Sequence, residues 1–279
     1  MSSKREAAIT LTPDGLARLF AAARVPLPGD GLILFALRGC LPAPMRGWRT
    51  SVRLRPVPVD YLHMRCTLGI WDRAGRRLYA APGSTVPQRD QVRKGAARGG
   101  KGVNQMEPGF YLDLTKGEHL QGKRNGHQAL RQTAYRFYRR SPGGRPYSAQ
   151  SPLYYGNPYD NLHCGWNADG RGPGYSSAGC LVVAGLPHCR RHEEPVPNQG
   201  PWKIFHDLIY GRDQRRFPLL LLPAADARRA LANADRPLLV FGSEGEEVAD
   251  LQRRLARAGI YRGRATGRLD ARTYRAWKC

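Results

Sequence analysis

The sequence predicts an α+β fold, mostly β, with a small helical unit at the C-terminal end. Three observations carry this. Cys66, Leu68 and Ile70 alternate with Thr67, Gly69 and Trp71, the period of a strand. The longest apolar run, Pro218 to Pro223, has the length of a buried strand. Near the C-terminus Val248, Leu251, Leu255 and Ala258 recur at helical spacing, and Gly259 suits the position after a helix.

The elements follow in order. Residues 1–59 form an N-terminal segment to which no role is assigned. Within it Thr12-Pro13-Asp14 reads as an N-cap with proline in the first turn, followed by a helix through Leu16, Leu19 and Phe20. Gly29 to Gly31 is a break, and Leu32 to Leu37 is strand-like. Cys66 to Ala81 reads as a hairpin turning at Arg73-Ala74-Gly75-Arg76, and Gly83 to Gly102 as a basic, glycine-rich loop. Gly109 to Leu114 is a further strand. His127 to Tyr138 carries Leu130, Ala134, Phe137 and Tyr138 at helical spacing, which predicts a helix. Ser141 to Asp160 is rich in Pro, Gly and Tyr and reads as a surface loop, the kind that often binds or covers a ligand. After Leu186 to Pro201, a polar loop, Trp202 to Tyr210 is amphipathic and Phe217 to Leu222 is the buried strand. Ala224 to Ala234 is a short helix, and Asp235-Arg236-Pro237 a joint. The domains expected are 60–223, a linker at 224–237, and 238–279.

The totals narrow the function. The chain has 279 residues, 41% of them hydrophobic, enough for a real core. Its 45 Lys+Arg against 22 Asp+Glu leave a net charge of +23. Such a field draws in polyanions. The basic residues are scattered along the chain rather than gathered on one stripe, which argues against nucleic acid as the partner. A compositional bias toward Arg, Gly and Pro, and attraction to an anionic cell wall, both account for the charge. No run approaches the ~18 apolar residues of a membrane span. The start, Met1 to Glu6, is polar and leads into no apolar secretory region before Pro13. A chain made in the cytoplasm is therefore expected. The six cysteines are few and irregularly spaced for a disulfide framework, so most should be free thiols.

The chemistry concentrates between Asn161 and Val183. Leu162-His163-Cys164-Gly165 is followed, 17 residues after His163, by Cys180 in Tyr175-Ser176-Ser177-Ala178-Gly179-Cys180-Leu181-Val182-Val183. Cys180 stands after a Ser-x-Gly turn and directly before an apolar strand, which predicts a thiol at the exposed end of a strand. Gly179 permits positive-φ geometry there. The turn can aim the N–H groups of Gly179 and Cys180 at one point, as an oxyanion hole requires. A free thiol titrates near ~8.5, and an imidazole partner can lower that to roughly 3.5–7.5. His163, at another strand end, is the partner of choice for a thiol that attacks a carbonyl and holds a thioester. A zinc site is the rival reading, because His163, Cys164, Cys180, His188, Cys189 and His192 crowd one stretch. Only Cys189-x-x-His192 has familiar ligand spacing.

These residues resemble the L,D-transpeptidase (YkuD-like) signature: a His close to a Gly, then Ser-x-Gly-Cys and an apolar residue. The Cys66–Ala81 hairpin and Glu107-Pro108-Gly109-Phe110-Tyr111 are similar to the family's early strands, and the likeness covers about residues 60–223. Cys164 between His163 and Gly165, and Ala178 where many members have a second His, imply a divergent subgroup. Val182 stands where many have Arg or Asn. The C-terminal stretch, with Val248-x-x-Leu251-Gln252-x-x-Leu255 and Gly259-Ile260-Tyr261-Arg262-Gly263, resembles a truncated type 1 peptidoglycan-binding module.

The resemblance implies an L,D-transpeptidase-like catalytic domain and a small helical wall-binding module. It implies that Cys180 forms an acyl-enzyme on tetrapeptide stems of peptidoglycan, with no cofactor, and that His163 is its base. Ser177 would orient His163 or line the oxyanion site with Gly179. Tyr175, Gly165 and Ser176 would meet the substrate. An amine acceptor gives a 3–3 crosslink, and water gives L,D-carboxypeptidase activity. A wall enzyme without a secretory signal implies delivery by a secretion or injection apparatus or by lysis, as an effector. The alternative is a non-catalytic wall-binding protein with a structural Cys/His zinc site.

Overall fold

The computed structural model describes residues 7–97, 102–141, 143, 144, 147–191, 196–233 and 236–278. The chain opens with β1 (Ile9–Leu11), α1 (Pro13–Ala22), β2 (Leu32–Arg38), β3 (Cys40–Pro42) and β4 (Val52–Pro56). It continues through β5 (Cys66–Asp72), β6 (Arg77–Ser84), α2 (Arg89–Ala97), β7 (Asn104–Met106), β8 (Gly109–His119), β9 (His127–Gln132), β10 (Arg136–Arg140) and β11 (Leu153–Gly156). It ends with β12 (Leu162–Cys164), β13 (Leu181–Val183), α3 (Gly200–Tyr210), β14 (Arg216–Pro223), α4 (Ala224–Ala232), α5 (Glu246–Arg257) and α6 (Ala271–Lys278).

Eight strands close into a barrel in the order β12-β13-β6-β5-β2-β14-β8-β9, with Leu162 opposite Leu130 at the closure. Two three-stranded sheets, β1-β4-β3 and β11-β10-β7, lie outside it. Central strands explain the apolar runs. Leu32, Leu34 and Ala36 of β2 join one core cluster with α3, while Ile33, Phe35 and Leu37 join another with α1 and α4. A strand buried on both faces reads as continuously hydrophobic rather than alternating. Phe35 lies over Gly69 of β5, where an added Cβ would fall 2.0 Å from the ring.

The fold departs from expectation in three places besides α2, which forms a helix inside the expected 83–102 loop. The first is the fold class: the molecule is a closed eight-stranded β-barrel with added sheets, and no separate helical module stands out at the C-terminal end. Only α5 and α6 form there among the described residues, and Val248 of α5, Tyr274 of α6 and Leu269 between them close on Phe137 of β10. Phe241 pairs with Gly109 at the start of β8. Two short amphipathic helices bury too little surface to stand alone, so they use the neighbouring sheet as the other half of their core.

The second is residues 127–138, which form β9 and β10 instead of a helix. The corner between them is held by Asp113, whose Oδ2 accepts from the N–H groups of Thr133 (2.8 Å) and Ala134 (2.6 Å). A carboxylate on a different strand thus overrides the local periodicity. The third is β11, which lies inside the expected 141–160 loop and pairs with β10 from Arg136↔Gly156 to Arg139↔Leu153. Cys40, Cys66, Cys164, Cys180 and Cys189 are free and buried, and Cys279 lies outside the described residues. Among the described residues no helix is long and apolar enough to cross a membrane.

Candidate active site

β12 and β13 are adjacent and parallel, with His163 opposite Val182. The excursion between them therefore returns the chain to the same end of the barrel and sets Cys180, just before β13, beside Asn161, just before β12. The Leu181 N–H donates to the Asn161 carbonyl (2.9 Å), and the Asn161 N–H donates to Cys180 Sγ (3.3 Å). A ring nitrogen of His163, a ring nitrogen of His119 and Cys180 Sγ all lie within 4.8 Å of one another. Cys180 is buried, with 7% of its surface exposed, and His163 with 1%, so the thiol does not stand at an exposed strand end as the sequence predicts: the 160–161 segment covers it.

The hydrogen bonds set the tautomer of His163. His127 Nδ1 lies 2.9 Å from the Asn125 carbonyl, which can only accept, so that nitrogen carries the proton and His127 Nε2 is an acceptor. His163 Nδ1 lies 2.7 Å from the Cys164 carbonyl and 3.3 Å from His127 Nε2. A proton on His163 Nδ1 satisfies both, leaving His163 Nε2 as a bare lone pair. His119 packs flat on His163, its Nδ1 accepting from Asn161 Nδ2 at 3.0 Å.

Burial governs the titration of this cluster. His163 is pushed well below the ordinary histidine range, first by desolvation and then by His119 and His127. His119 falls to about 4 for the same two kinds of reason, burial and the neighbouring His127. Burial pushes the Cys180 thiol up, and the nearby Asp160 adds to it. The resting pair is thus a neutral thiol beside a neutral imidazole, not the lowered thiol expected from the sequence, because removal from water disfavours both charges. Asp160 is itself raised to about 7 by burial, against the opposing pull of Asn104, Arg136 and Arg140. Its Oδ2 is buried without a hydrogen-bond partner.

The turn before Cys180 is tightly specified. Gly179 has φ +140°, and a Cβ there would lie 2.5 Å from Asp160 Oδ1. Ser177 Oγ donates to the Cys180 carbonyl (2.7 Å) and accepts from Gly179 N–H (3.2 Å). Ser177 therefore braces the turn, and orienting His163 is not a role its bonds serve. The Gly179 N–H is spent on that brace rather than held open for an oxyanion. Of the residues expected to meet substrate, only Ser176 is exposed. Tyr175 is buried, its hydroxyl against the Val86 and Pro87 carbonyls at 3.2 Å. Gly165 is buried against Met64, whose Cε would sit 2.2 Å from an added Cβ.

Of the zinc grouping expected from the sequence, His163 and Cys180 stay within 4.8 Å of each other, but the other described members do not join them. His188 Nδ1 turns to the Val196 carbonyl (2.9 Å), Cys164 is sealed in the core with its thiol pushed up to about 12, and His192 lies outside the described residues. Sequence reasoning missed His119, His127, Asn161 and Asp160. His119 and His127 face each other across the β8–β9 hairpin, whose Asn125-Gly126 dipeptide is a hairpin signal. Reading 127–138 as a helix concealed it.

No family model matches the chain, and no curated protein or solved structure matches it.

Proposed function

We propose that the protein is a cysteine-dependent L,D-transpeptidase acting on tetrapeptide stems of peptidoglycan, with L,D-carboxypeptidase hydrolysis as the outcome when water replaces the acceptor amine. The observation that carries the reading is that Cys180 Sγ and a ring nitrogen of His163 lie within 4.8 Å of each other, with His163 Nδ1 held as a donor to the Cys164 carbonyl. His163 Nε2 takes the thiol proton as sulfur bonds to the carbonyl carbon between the third residue and the terminal D-Ala. The C–N bond breaks, and the same proton leaves with the D-Ala amine. An acceptor amine then attacks the thioester, and the departing sulfur regains a proton. Neutral partners suit this order, because charge develops only as the bond forms.

Incubation with tetrapeptide muropeptides, followed by mass spectrometry, should give 3–3 dimers or tripeptides and a covalent adduct on Cys180. Retention of product formation by Cys180→Ala would sink the assignment.

One observation favours a second reading, a Cys/His metal site in a non-catalytic wall-binding protein: His119, His163 and Cys180 are a ligand set that zinc accepts. The ring geometry works against it. The His119 and His163 planes lie 10° from parallel, so their lone pairs run side by side rather than converge on one ion. Stoichiometric zinc in purified protein, lost in His119→Ala, would favour this reading over the first.

A further inference from the structure

We infer that the protein carries a second ligand site, away from Cys180, for an oxyanion group borne on an apolar portion. A cavity of about 730 Å³ lies between the outer face of the β1-β4-β3 sheet, β6 and the 169–171 loop. Its walls carry Arg53, Arg55, His63, Arg65 and Arg171, and one acidic residue, Asp169. Met45, Met64, Tyr79 and Pro82 supply apolar surface.

The strand alternation of β4 makes the cationic wall. Val52 and Leu54 point into the core, which forces Arg53 and Arg55 outward together. Residues two apart on a strand share a face, about 7 Å from each other. Two guanidinium groups at that spacing can each fork onto one oxyanion of a diphosphate or dicarboxylate. Neighbouring carboxylates face the other cations: Asp60 lies 2.7 Å from His63 Nδ1 and 3.3 Å from Arg65 Nε, and the exposed Asp169 lies 3.7 Å from Arg171 Nε. Arg53 and Arg55 make no side-chain hydrogen bond or ion pair among the described residues. The buried Nε of Arg65, despite the nearby Asp60, has no hydrogen-bond partner. A concave, partly apolar wall with two unanswered guanidinium groups and one orphaned donor is complementary to an anion.

The test is calorimetric titration of the full chain with inorganic pyrophosphate and, separately, with glutarate, at constant ionic strength. Saturable one-to-one binding is expected. The Arg53→Ser/Arg55→Ser double variant should weaken it at least about tenfold. The charge-matched Arg262→Ser/Arg264→Ser variant, altered at exposed positions of the C-terminal loop, should not. Tighter binding of pyrophosphate assigns the site to phosphate groups, and comparable binding of glutarate assigns it to carboxylates. No saturable binding of either probe, or equal weakening in the two double variants, overturns the site and leaves only diffuse attraction by the net charge. An unchanged melting temperature in both variants confirms that folding is intact. The Cys180→Ala protein should bind the probes as the parent does, so the result stands apart from the fate of the transpeptidase proposal.

Discussion

The imidazole of His119 lies flat against that of His163, with ring centroids 3.9 Å apart and planes 10° from parallel. His127 meets the same ring nearly edge-on at 5.2 Å, with Trp166 beyond it. Three imidazoles in so small a volume cannot share many protons, since each charge raised in a buried site disfavours the next. The packing therefore favours an unprotonated His163.

Replacing His119 with Phe preserves a flat ring on His163 and removes one of the charges that hold His163 down. The His163 titration should move upward. Loss of base by protonation then begins at a higher pH, so the acid limb of the acylation rate should shift toward neutrality. His163→Ala, by contrast, should lower the rate by about 10²–10⁴ on the plateau above the acid limb. NMR titration of the histidine ring protons and the pH–rate profile check both. An acid limb unmoved in His119→Phe would show that the stacking carries no electrostatic coupling.

Asp160 makes stability depend on pH in a sign opposite to the usual carboxylate. Its folded value, about 7, lies above the ordinary 3.8, so the folded state holds the proton more tightly than the unfolded chain does. Its contribution is full below about 4 and is lost as pH rises toward 7. The buried histidines, depressed in the folded state, slope the other way at acidic pH, so the comparison with Asp160→Asn isolates the carboxyl. The variant should melt close to the parent at pH 4 and above it at pH 8, by an amount on the order of a few kcal/mol. It should also react faster with iodoacetamide, because a charge that raises the Cys180 thiol is gone.

Gly179→Ala should be more damaging than Gly165→Ala. At Gly179 the φ of +140° and the Asp160 carboxylate both oppose a methyl group. The backbone strain alone is on the order of 1–3 kcal/mol. At Gly165 the close atom is the flexible end of Met64, which can move. Urea melts of the two variants rank the costs, and equal values would contradict the role given to the turn.

The C-terminal helices should unfold with the barrel rather than before it. Tyr274 Oη donates to Glu107 Oε2 (3.0 Å), and Glu107 Oε1 accepts from Arg139 Nε (3.0 Å), all three residues buried. Tyr274→Phe leaves that carboxylate oxygen without its donor, at a cost of about 1–3 kcal/mol. Calorimetry of the full chain should show one transition, lowered in the variant. Two separate transitions would mark 238–279 as an independent unit after all.

Local chemistry was enough to single out Cys180 and His163, because a Ser-x-Gly turn before an apolar strand and a histidine at a strand end are features of a few neighbouring residues. The Cys66–Ala81 hairpin, the α3 helix and the 217–222 strand were legible for the same reason: each carries its own period or turn. The helix expected at 127–138 was not, since its corner is made by Asp113 from another strand. His119 and Asp160 were equally hidden. The residues flanking them in the chain do not mark them, and they acquire a role only when barrel closure brings β9 against β12 and the 160–161 segment under Gly179. Sequence by itself determined that a thiol and an imidazole stand at the ends of two strands 17 residues apart. The tertiary structure decided how far burial and neighbouring imidazoles hold those groups neutral, because desolvation and like-charge proximity are properties of a packed volume and not of a stretch of chain.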